Sequence, residues 1–204
     1  MQAFQVTPLS KSELRRQLRR ARAAIDPQQR QAAAWEVTRS IPILRRLRRG
    51  KKIAVYVPVG GEFPAWPLIL TALHRGCAVY LPQVPRFGRH LKFVRLNAHS
   101  RWQMGKFNIP VPDHAEHCPP RALDTVFMPL LGFDAKLARL GQGGGYYDTT
   151  FAFRRQRRQW QKPKLIGLAF AVQQVDHLPA ESWDLHLDAI QTESVYISAL
   201  RLKV

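Results

Sequence analysis

The strongest indication of a ligand-binding chemistry lies in residues 139–148. This segment has four glycines in five positions, and an aspartate follows them. Glycine lets the backbone bring several N–H groups towards one anion, and a helix predicted to begin at Tyr146 adds its positive N-terminal end. Arg139 offers a charged fork for phosphate oxygens, and Asp148 is placed to hold Mg²⁺ beside them. The segment predicts a phosphate-binding loop, although it matches no Walker A or dinucleotide fingerprint. A flexible loop with an N-cap carboxylate is the alternative.

Polar residues elsewhere are candidates for the same site. Lys11 and Arg15 lie four residues apart on one face of a predicted helix, where they either reach over a polyphosphate or face solvent. Glu62 follows the first predicted strand at the edge where ligands of parallel sheets bind, or it is a first-turn acid of the next helix. Asp184 is either a second magnesium ligand or a turn residue.

A histidine-rich segment suggests a zinc site, with His114, Glu116, His117 and Cys118 close together. It lacks a second cluster of matching ligands, and two prolines follow it directly. A surface loop is therefore the favoured interpretation.

Length and composition limit the class of protein. The chain of 204 residues is long enough for one domain with a sizeable core, and its hydrophobic fraction of 46% is typical of a globular protein. No run approaches the roughly 18 apolar residues of a membrane helix, and the N-terminus has no signal-peptide core. Two cysteines fit a reducing compartment. We expect a cytoplasmic protein, without membrane contact and monomeric.

The formal net charge is +18, and 14 Lys and Arg against 3 Asp and Glu place +11 of it in residues 1–52. Such an excess favours polyanionic partners, which are nucleic acids, nucleotides or substrates with several carboxylates. A solvated arginine-rich surface is the simpler explanation for most of these residues. A nucleic-acid-binding protein remains an alternative, although no motif of a known nucleic-acid-binding module is present and the binding expected is non-specific.

Apolar periodicity divides the chain into a helical start and an α/β remainder. A capping box at Ser10 and Glu13 begins one helix, Asp26-Pro27 begins a second that runs to Ser40, and a third ends at Gly50. A strand at 53–57, a helix at 64–75 and a strand at 77–81 make a βαβ unit, and therefore a parallel sheet. Further strands are predicted at 91–96, 125–131, 164–170 and 192–198, a helix at 146–159, and a long ordered loop at 97–122.

These elements predict one α/β domain over residues 1–204. Its sheet is open, mostly parallel and flanked by helices in three Rossmann-like layers. Residues 1–50 form an N-terminal helical arm of the same domain.

In this order, the segments resemble the 5-formyltetrahydrofolate cyclo-ligase family, also called methenyltetrahydrofolate synthetase, over residues 11–196. The most specific part of the match is Met128-Pro129-Leu130-Leu131-Gly132-Phe133-Asp134 followed by Arg139-Leu140-Gly141-Gln142-Gly143-Gly144-Gly145-Tyr146-Tyr147-Asp148. Supporting pieces are Lys11-Ser12-Glu13-Leu14-Arg15, Glu62, Asn108-Ile109-Pro110, and Trp183-Asp184 with Asp188.

The resemblance implies a reaction in which 5-formyltetrahydrofolate and ATP give 5,10-methenyltetrahydrofolate, ADP and phosphate, with Mg²⁺ as cofactor. In the family, the formyl oxygen attacks the γ-phosphate, and N10 of the resulting imino-phosphate closes the ring. This chemistry depends mainly on positioning and charge stabilisation. Another ATP-dependent phosphotransferase remains the alternative, since it would share the phosphate loop.

The resemblance also assigns residues. ATP would contact Lys11, Arg15, Arg139, Leu140, Gly141, Gln142, Gly143, Gly144, Gly145, Tyr146 and Tyr147. The folate would contact Val57, Glu62, Phe107, Gln142, Gly143, Gly144, Gly145 and Tyr146. Arg139 and Tyr146 are the implied catalytic residues, and Asp148 and Asp184 the implied Mg²⁺ ligands.

Two positions depart from the family pattern. Leu137 stands where glycine is common, and Thr149 replaces an arginine that often follows the aspartate in bacterial members. The arginines of residues 15–49 exceed what the reaction needs. We hypothesise that they collect a polyglutamylated folate, whose tail is a row of carboxylates.

Overall fold

The computed structural model describes residues 10–155, 162–179, 181 and 183–199. The α-helices are α1 (Lys11–Ala23), α2 (Pro27–Arg39), α3 (Ile41–Leu44), α4 (Trp66–His74) and α5 (Tyr146–Thr150). Short 3₁₀ helices are Lys106–Asn108, Pro120–Ala122, Ala152–Arg154 and Ala171–Gln173. The strands are β1 (Lys52–Ala54), β2 (Ala78–Gln83), β3 (Lys92–Leu96), β4 (Arg101–Met104), β5 (Pro110–Asp113), β6 (His117–Cys118), β7 (Thr125–Pro129), β8 (Gly132–Phe133), β9 (Arg139–Leu140), β10 (Lys164–Leu168), β11 (Ala189–Gln191) and β12 (Tyr196–Ser198).

Eight strands form the central sheet, in the order β12-β11-β10-β7-β1-β2-β3-β6. The inner five, from β11 to β2, are parallel, whereas β12, β3 and β6 join the edges antiparallel. Numbered along the chain, the parallel strands run 2-1-3-4-5, the doubly wound order whose direction reverses between β1 and β7. The predicted open, mostly parallel sheet is confirmed.

Both faces of the sheet are buried, because successive strand residues point to opposite sides. Ile53 and Val55 pack with α2 and α4 on one face, whereas Ala54 faces the other cluster, which contains Phe151 after α5. Phe127 joins the first cluster while its neighbours in β7 join the second. The sheet is therefore the middle of three layers, which explains the continuous apolar runs in the sequence.

The predicted caps position the first two helices. In the capping box, the Ser10 hydroxyl accepts a hydrogen bond from the backbone of Glu13, whose carboxylate accepts from the backbone of Ser10. Asp26 accepts from the first backbone N–H groups of α2. Leu14 and Leu18 of α1 pack on β9 and neighbouring loops in a small separate cluster. This packing places the polar face of α1 beside the glycine-rich loop.

Four predicted elements differ from the structure. The third helix, predicted to end at Gly50, is α3 and ends at Leu44. Residues 97–122 are not one loop, because β4 and β5 pair as an antiparallel hairpin and β6 joins the central sheet. The predicted strand at 192–198 starts only at Tyr196, and the sequence interpretation missed β11 before it. The predicted helix at 146–159 ends as α-helix at Thr150, and residues 156–159 of that prediction lie outside the described residues. Alternation over three or four residues is too short a signal to locate such strands.

Within the described part of the chain, none of the helices is both long and apolar enough to cross a membrane.

Candidate functional site

A cleft of about 780 Å³ opens at the carboxyl ends of the parallel strands. Tyr56 and Val57 continue β1 into its floor, Pro129 ends β7 there, and Pro82 lies in β2. The cleft therefore lies at the reversal point between β1 and β7, where ligands of doubly wound sheets bind.

The glycine-rich loop forms one wall of this cleft. It leaves β9 of the short β8–β9 hairpin and ends where α5 begins. Gly143 and Gly145 have φ values of +104° and +68°, which residues with a side chain rarely adopt. At Gly144 a methyl group would lie 2.8 Å from the Tyr146 ring. The loop thus needs glycine for backbone conformation at two positions and for space at a third.

Helix α1 contacts this loop through its cations. The Arg15 Nε donates to the Gly141 carbonyl at 3.0 Å, and Arg19 Nη2 donates to the Gln142 side chain at 3.1 Å. One turn earlier, Lys11 Nζ donates to Asp184 Oδ2 at 2.8 Å. A residue near the start of the described chain is therefore joined to one near its end across the cleft.

Arg139 and Asp148 form a second ion pair, with 2.6 Å between Nη2 and Oδ1. The Arg139 side chain is only 5% exposed. Its Nε is buried and has no hydrogen-bond partner among the described residues, which is uncommon for a buried donor. Asp148 Oδ1 also accepts from the backbone N–H of Leu185, which brings it next to Asp184 in the chain.

The two carboxylates suit a magnesium ion that is shared with phosphates. Among the described residues, no hydrogen bond is made by Asp148 Oδ2 or Asp184 Oδ1, the oxygens that take no part in the ion pairs. Groups of three or more His, Cys, Asp or Glu side chains that would hold a metal are also absent from this part of the chain. Mg²⁺ is often bound by one or two carboxylates with phosphate oxygens and water, so this donor set fits.

The Asp184 carboxyl is held in its ionised form. Burial raises its pKa, but hydrogen bonds from Lys11 and from the Glu181 backbone outweigh burial, and the pKa lies below the ordinary value. Its charge, like that of a metal ligand, is therefore kept at neutral pH.

Glu62 lines the cleft from the turn that follows β1. Its Oε2 accepts from the backbone N–H of Val59 at 3.1 Å. Burial raises the pKa of Glu62 above its ordinary value, and the Val59 N–H, the Arg22 charge and Gln142 counter this in part. The result is a half-buried carboxyl group that faces the cleft and can accept N–H donors from a ligand.

Phe107 lines the same cleft from the turn between β4 and β5. It is 59% exposed, and its ring meets that of Tyr146 edge to face, with 6.1 Å between centroids. Phe107 and Asn108 have φ values of +60° and +55°, which are uncommon for residues with side chains. Such strained positions cluster at functional sites, and this one presents an aromatic ring to the cleft.

Comparison with known proteins adds evidence of a different kind. The model of the 5-formyltetrahydrofolate cyclo-ligase family matches residues 8–193. The chain belongs to this family. The cyclo-ligase of Haemophilus influenzae is 35% identical over 182 residues, which cover 87% of this chain and 94% of the relative. The cyclo-ligase of Escherichia coli K12 is 32% identical over 180 residues, which cover 87% of this chain and 97% of the relative.

A solved structure agrees with the cyclo-ligase assignment. The NMR structure of Aquifex aeolicus 5,10-methenyltetrahydrofolate synthetase superposes with a TM-score of 0.76 at 28% identity, over 93% of each chain. The resemblance found from the motifs is therefore confirmed at the level of family and fold.

In this cyclo-ligase fold, every residue predicted for the site lines the one cleft. That set is Lys11, Arg15, Val57, Glu62, Phe107, Arg139, Leu140, Gly141, Gln142, Gly143, Gly144, Gly145, Tyr146, Tyr147, Asp148 and Asp184. Sequence reasoning missed other lining residues, including Arg89, Arg155 and Ile109, and it did not place Trp183 in the site. Arg89 approaches Gly145 from the β2–β3 connection, which carries no motif. Arg89 is recognised as a lining residue only from its position in the folded structure.

The departure from the family pattern at Leu137 acquires a structural meaning. Its φ is +67°, the left-handed region where glycine is favoured, and its side chain is only 3% exposed. The neighbouring Asp134, 1% exposed, accepts from the backbone of Lys136, Ala138 and Leu178 and so holds this turn together. The turn is the β8–β9 connection that leads into the glycine-rich loop.

The histidine-rich segment takes part in local contacts outside the cleft. His114 is hydrogen-bonded to Asn97, and Glu116 accepts from the Tyr80 hydroxyl at 2.8 Å. Cys118 is buried in β6, and burial raises the pKa of its thiol.

Proposed function

We propose that this chain catalyses the ATP-dependent conversion of 5-formyltetrahydrofolate to 5,10-methenyltetrahydrofolate, with release of ADP and phosphate. The observation that carries the proposal is the convergence, in one cleft, of the family's glycine-rich segment with Lys11, Arg15, Glu62 and Phe107. Elements far apart in the chain supply these residues, so the fold brings them together.

ATP is assigned to the wall formed by α1 and the glycine-rich loop. Its triphosphate would be bound by Lys11, Arg15 and Arg139 and by the loop backbone from Leu140 to Tyr147. The described hydrogen bond of Arg15 is to a carbonyl oxygen and not to a carboxylate, so its guanidinium can pair with phosphate. Arg139 has an unpartnered buried Nε as well as its bond to Asp148. We assign it the stabilisation of charge on the transferred phosphoryl group.

The folate is assigned to the opposite side, beneath Phe107 and Tyr146. Glu62 would accept hydrogen bonds from the pterin N–H donors, and Val57 would contact the ring system from the end of β1. Phe107 and Tyr146 meet edge to face and offer aromatic surface to the flat pterin. The loop tip from Gln142 to Tyr146 lies between the two substrates, and Tyr146 is assigned the positioning of the formyl group.

Asp148 and Asp184 are the proposed Mg²⁺ ligands. When bound, the ion supplies charge neutralisation for the phosphate oxygens. The chain's own contribution is to orient both carboxylates, through their ion pairs with Arg139 and Lys11 respectively.

The reaction needs no nucleophilic side chain. The formyl oxygen of the substrate attacks the γ-phosphorus, ADP leaves, and N10 then attacks the activated carbon, so that phosphate departs as the ring closes. The protein holds the two substrates in line, excludes water and stabilises charge, which are the tasks that fixed amide and guanidinium donors perform well. A polyglutamate tail on the folate stays a prediction based on the arginines of residues 15–49.

The test is a spectroscopic assay of the purified chain with 5-formyltetrahydrofolate, Mg²⁺ and ATP, which follows the near-ultraviolet absorbance of the methenyl product. We expect an absorbance rise that requires ATP and produces one ADP for each methenyl group. Arg15→Met should raise the KM for ATP, whereas the matched Arg16→Met change on the exposed face of α1 should not. A flat trace from folded protein that binds both substrates would overturn the proposal.

A further inference from the structure

The turn that carries Glu62 is held from behind by two arginines. Arg30 of α2 donates through Nη1 to the Gly61 carbonyl at 3.0 Å and through Nε to the Ile25 carbonyl at 3.1 Å. Its Nη2 donates to the carbonyl of Arg22, and its guanidinium lies over the Phe170 ring, 5.3 Å from the centroid. Arg30 therefore ties α1, α2 and the turn into one unit.

Arg22 of α1 is the more unusual of the two. It is only 6% exposed, and its Nη1 has no hydrogen-bond partner among the described residues. A methyl group on Gly61 would lie 3.6 Å from Arg22 Nε, so the guanidinium packs directly against the turn. A buried arginine with an unpartnered donor costs more than an apolar side chain of the same volume. Packing alone does not explain an arginine at this position.

The charge of Arg22 does have a counterpart in Glu62. The two groups affect each other's ionisation: Arg22 lowers the pKa of Glu62, and Glu62 raises that of Arg22 against the larger effect of burial. No ion pair within 4.0 Å joins them among the described residues, so the influence acts through space. In a partly buried environment such an interaction is screened much less than at the surface.

Four neutral groups also surround Glu62. They are the Val59 backbone N–H, the Gln142 side chain, and the phenols of Tyr56 and Tyr147, whose pKa values burial raises above the ordinary value. Tyr56 donates to the Phe63 carbonyl rather than to the carboxylate. Two further cations lie one contact away, Arg30 on the Gly61 carbonyl and Arg19 on the Gln142 side chain. Arg22 is the cation whose charge acts on the Glu62 carboxyl itself.

We propose that Arg22 is a positioning residue that packs behind the turn of Glu62 and holds its carboxylate where it can accept the N–H donors of the pterin, while Arg30 fixes the same turn through the Gly61 carbonyl. The inference rests on the proposed function, because it deepens the role of Glu62 in folate binding. It adds two residues outside the cleft, neither of which contacts the substrate.

The first experiment measures kcat/KM for 5-formyltetrahydrofolate against pH in wild type, Arg22→Met and Arg22→Lys. Methionine keeps much of the aliphatic volume but removes the charge, so the acid limb of the profile should move to higher pH. Lysine keeps the charge and should leave the limb in place. The KM for ATP should be unchanged in both variants. A limb that stays in place in Arg22→Met, or moves equally in Arg22→Lys, would overturn the inference.

The second experiment measures binding of 5-formyltetrahydrofolate alone by calorimetry at several pH values, in Glu62→Gln, Arg22→Met and the double variant. If Arg22 acts through Glu62, the change at residue 22 should have no further effect on affinity once Glu62 is glutamine. Full additivity would contradict this. Because binding needs no turnover, a chain that binds folate with the expected pH dependence but gives no product would refute the proposed reaction and leave the role of Arg22 standing. Thermal melts confirm that each variant is folded.

Discussion

Arg139 and Asp148 form the shortest ion pair among the described residues, at 2.6 Å, although they lie at opposite ends of the glycine-rich segment. The pair links β9, which contains Arg139, to α5, which contains Asp148, and so joins the two ends of the loop. The glycine-rich loop between them is therefore fixed at both ends. We expect this to restrict the glycines, which could adopt many φ values, to one backbone conformation. Preorganised backbone donors of this kind stabilise phosphate charge without reorganisation during the reaction.

Replacing Asp148 by asparagine should weaken both its ion pair with Arg139 and the proposed Mg²⁺ site. We expect kcat/KM to fall by about 100-fold and half-maximal activity to require more Mg²⁺, as is typical when a metal ligand or its support is lost. Asp113→Asn, an exposed change of the same chemistry on β5, is the matched control and should behave as wild type. Steady-state rates across a Mg²⁺ titration would test this, and an unchanged Mg²⁺ requirement would exclude Asp148 as a ligand.

The Gly144→Ala variant should damage the site without unfolding the chain. Its new methyl group would meet the Tyr146 ring at 2.8 Å, so the ring has to move. We expect a rise of about 10-fold or more in the KM for folate, because small displacements of positioning groups are costly. In a Tyr146→Leu background the same change should cost much less, since the obstructing ring is gone. Equal effects in both backgrounds would show that the ring contact is not the cause.

Leu137 allows a test of backbone strain against packing. Leu137→Ala keeps a side chain at φ +67° and empties a buried site, so it should lower the free energy of unfolding by about 2–4 kcal/mol. Leu137→Gly removes one carbon more but relieves strain of about 1–2 kcal/mol. The glycine variant should therefore be more stable than the alanine variant, the reverse of the order in a helix or strand. Denaturant unfolding of both variants measures this, and the opposite order would show that strain is not important here.

Asp124, at the opposite end of the sheet from the cleft, should contribute to acid sensitivity. Burial raises its pKa, but hydrogen bonds from Lys162 and the Lys52 backbone, with the Lys51 charge, leave the pKa below the ordinary value. As pH falls, the unfolded chain takes up the proton first, so the stabilisation present at neutral pH is lost towards the folded pKa.

For that reason, the Tm of wild type should fall more steeply between pH 5 and pH 3 than that of Asp124→Asn, which is already less stable at pH 7. The two Tm curves should converge in acid. Parallel curves across this range would mean that the carboxylate does not contribute. Asp113→Asn again provides the exposed control.

Short-range chemistry made much of this protein predictable. The capping box at Ser10, the Asp26 cap and the glycine loop depend on neighbours in the chain, and all were found where the pattern indicated. Apolar runs buried on both faces identified four of the five parallel strands, β1, β2, β7 and β10, for the same reason. The short strands β4, β5 and β11 were missed, because three or four residues carry almost no periodicity.

The sequence alone therefore determined the fold class, the family and the residue types of the site, since these are written in local patterns and motifs. It did not determine which residues meet. The pairing of Lys11 with Asp184 spans 173 positions, and the approach of Arg89 to Gly145 depends on the β2–β3 connection lying beside the cleft. Whether Leu137 takes a glycine-like conformation, and whether Arg22 lies buried behind Glu62, was decided by packing against distant segments. Such contacts are visible only in the tertiary structure, because the spacing of residues along the chain does not specify which distant segments pack together.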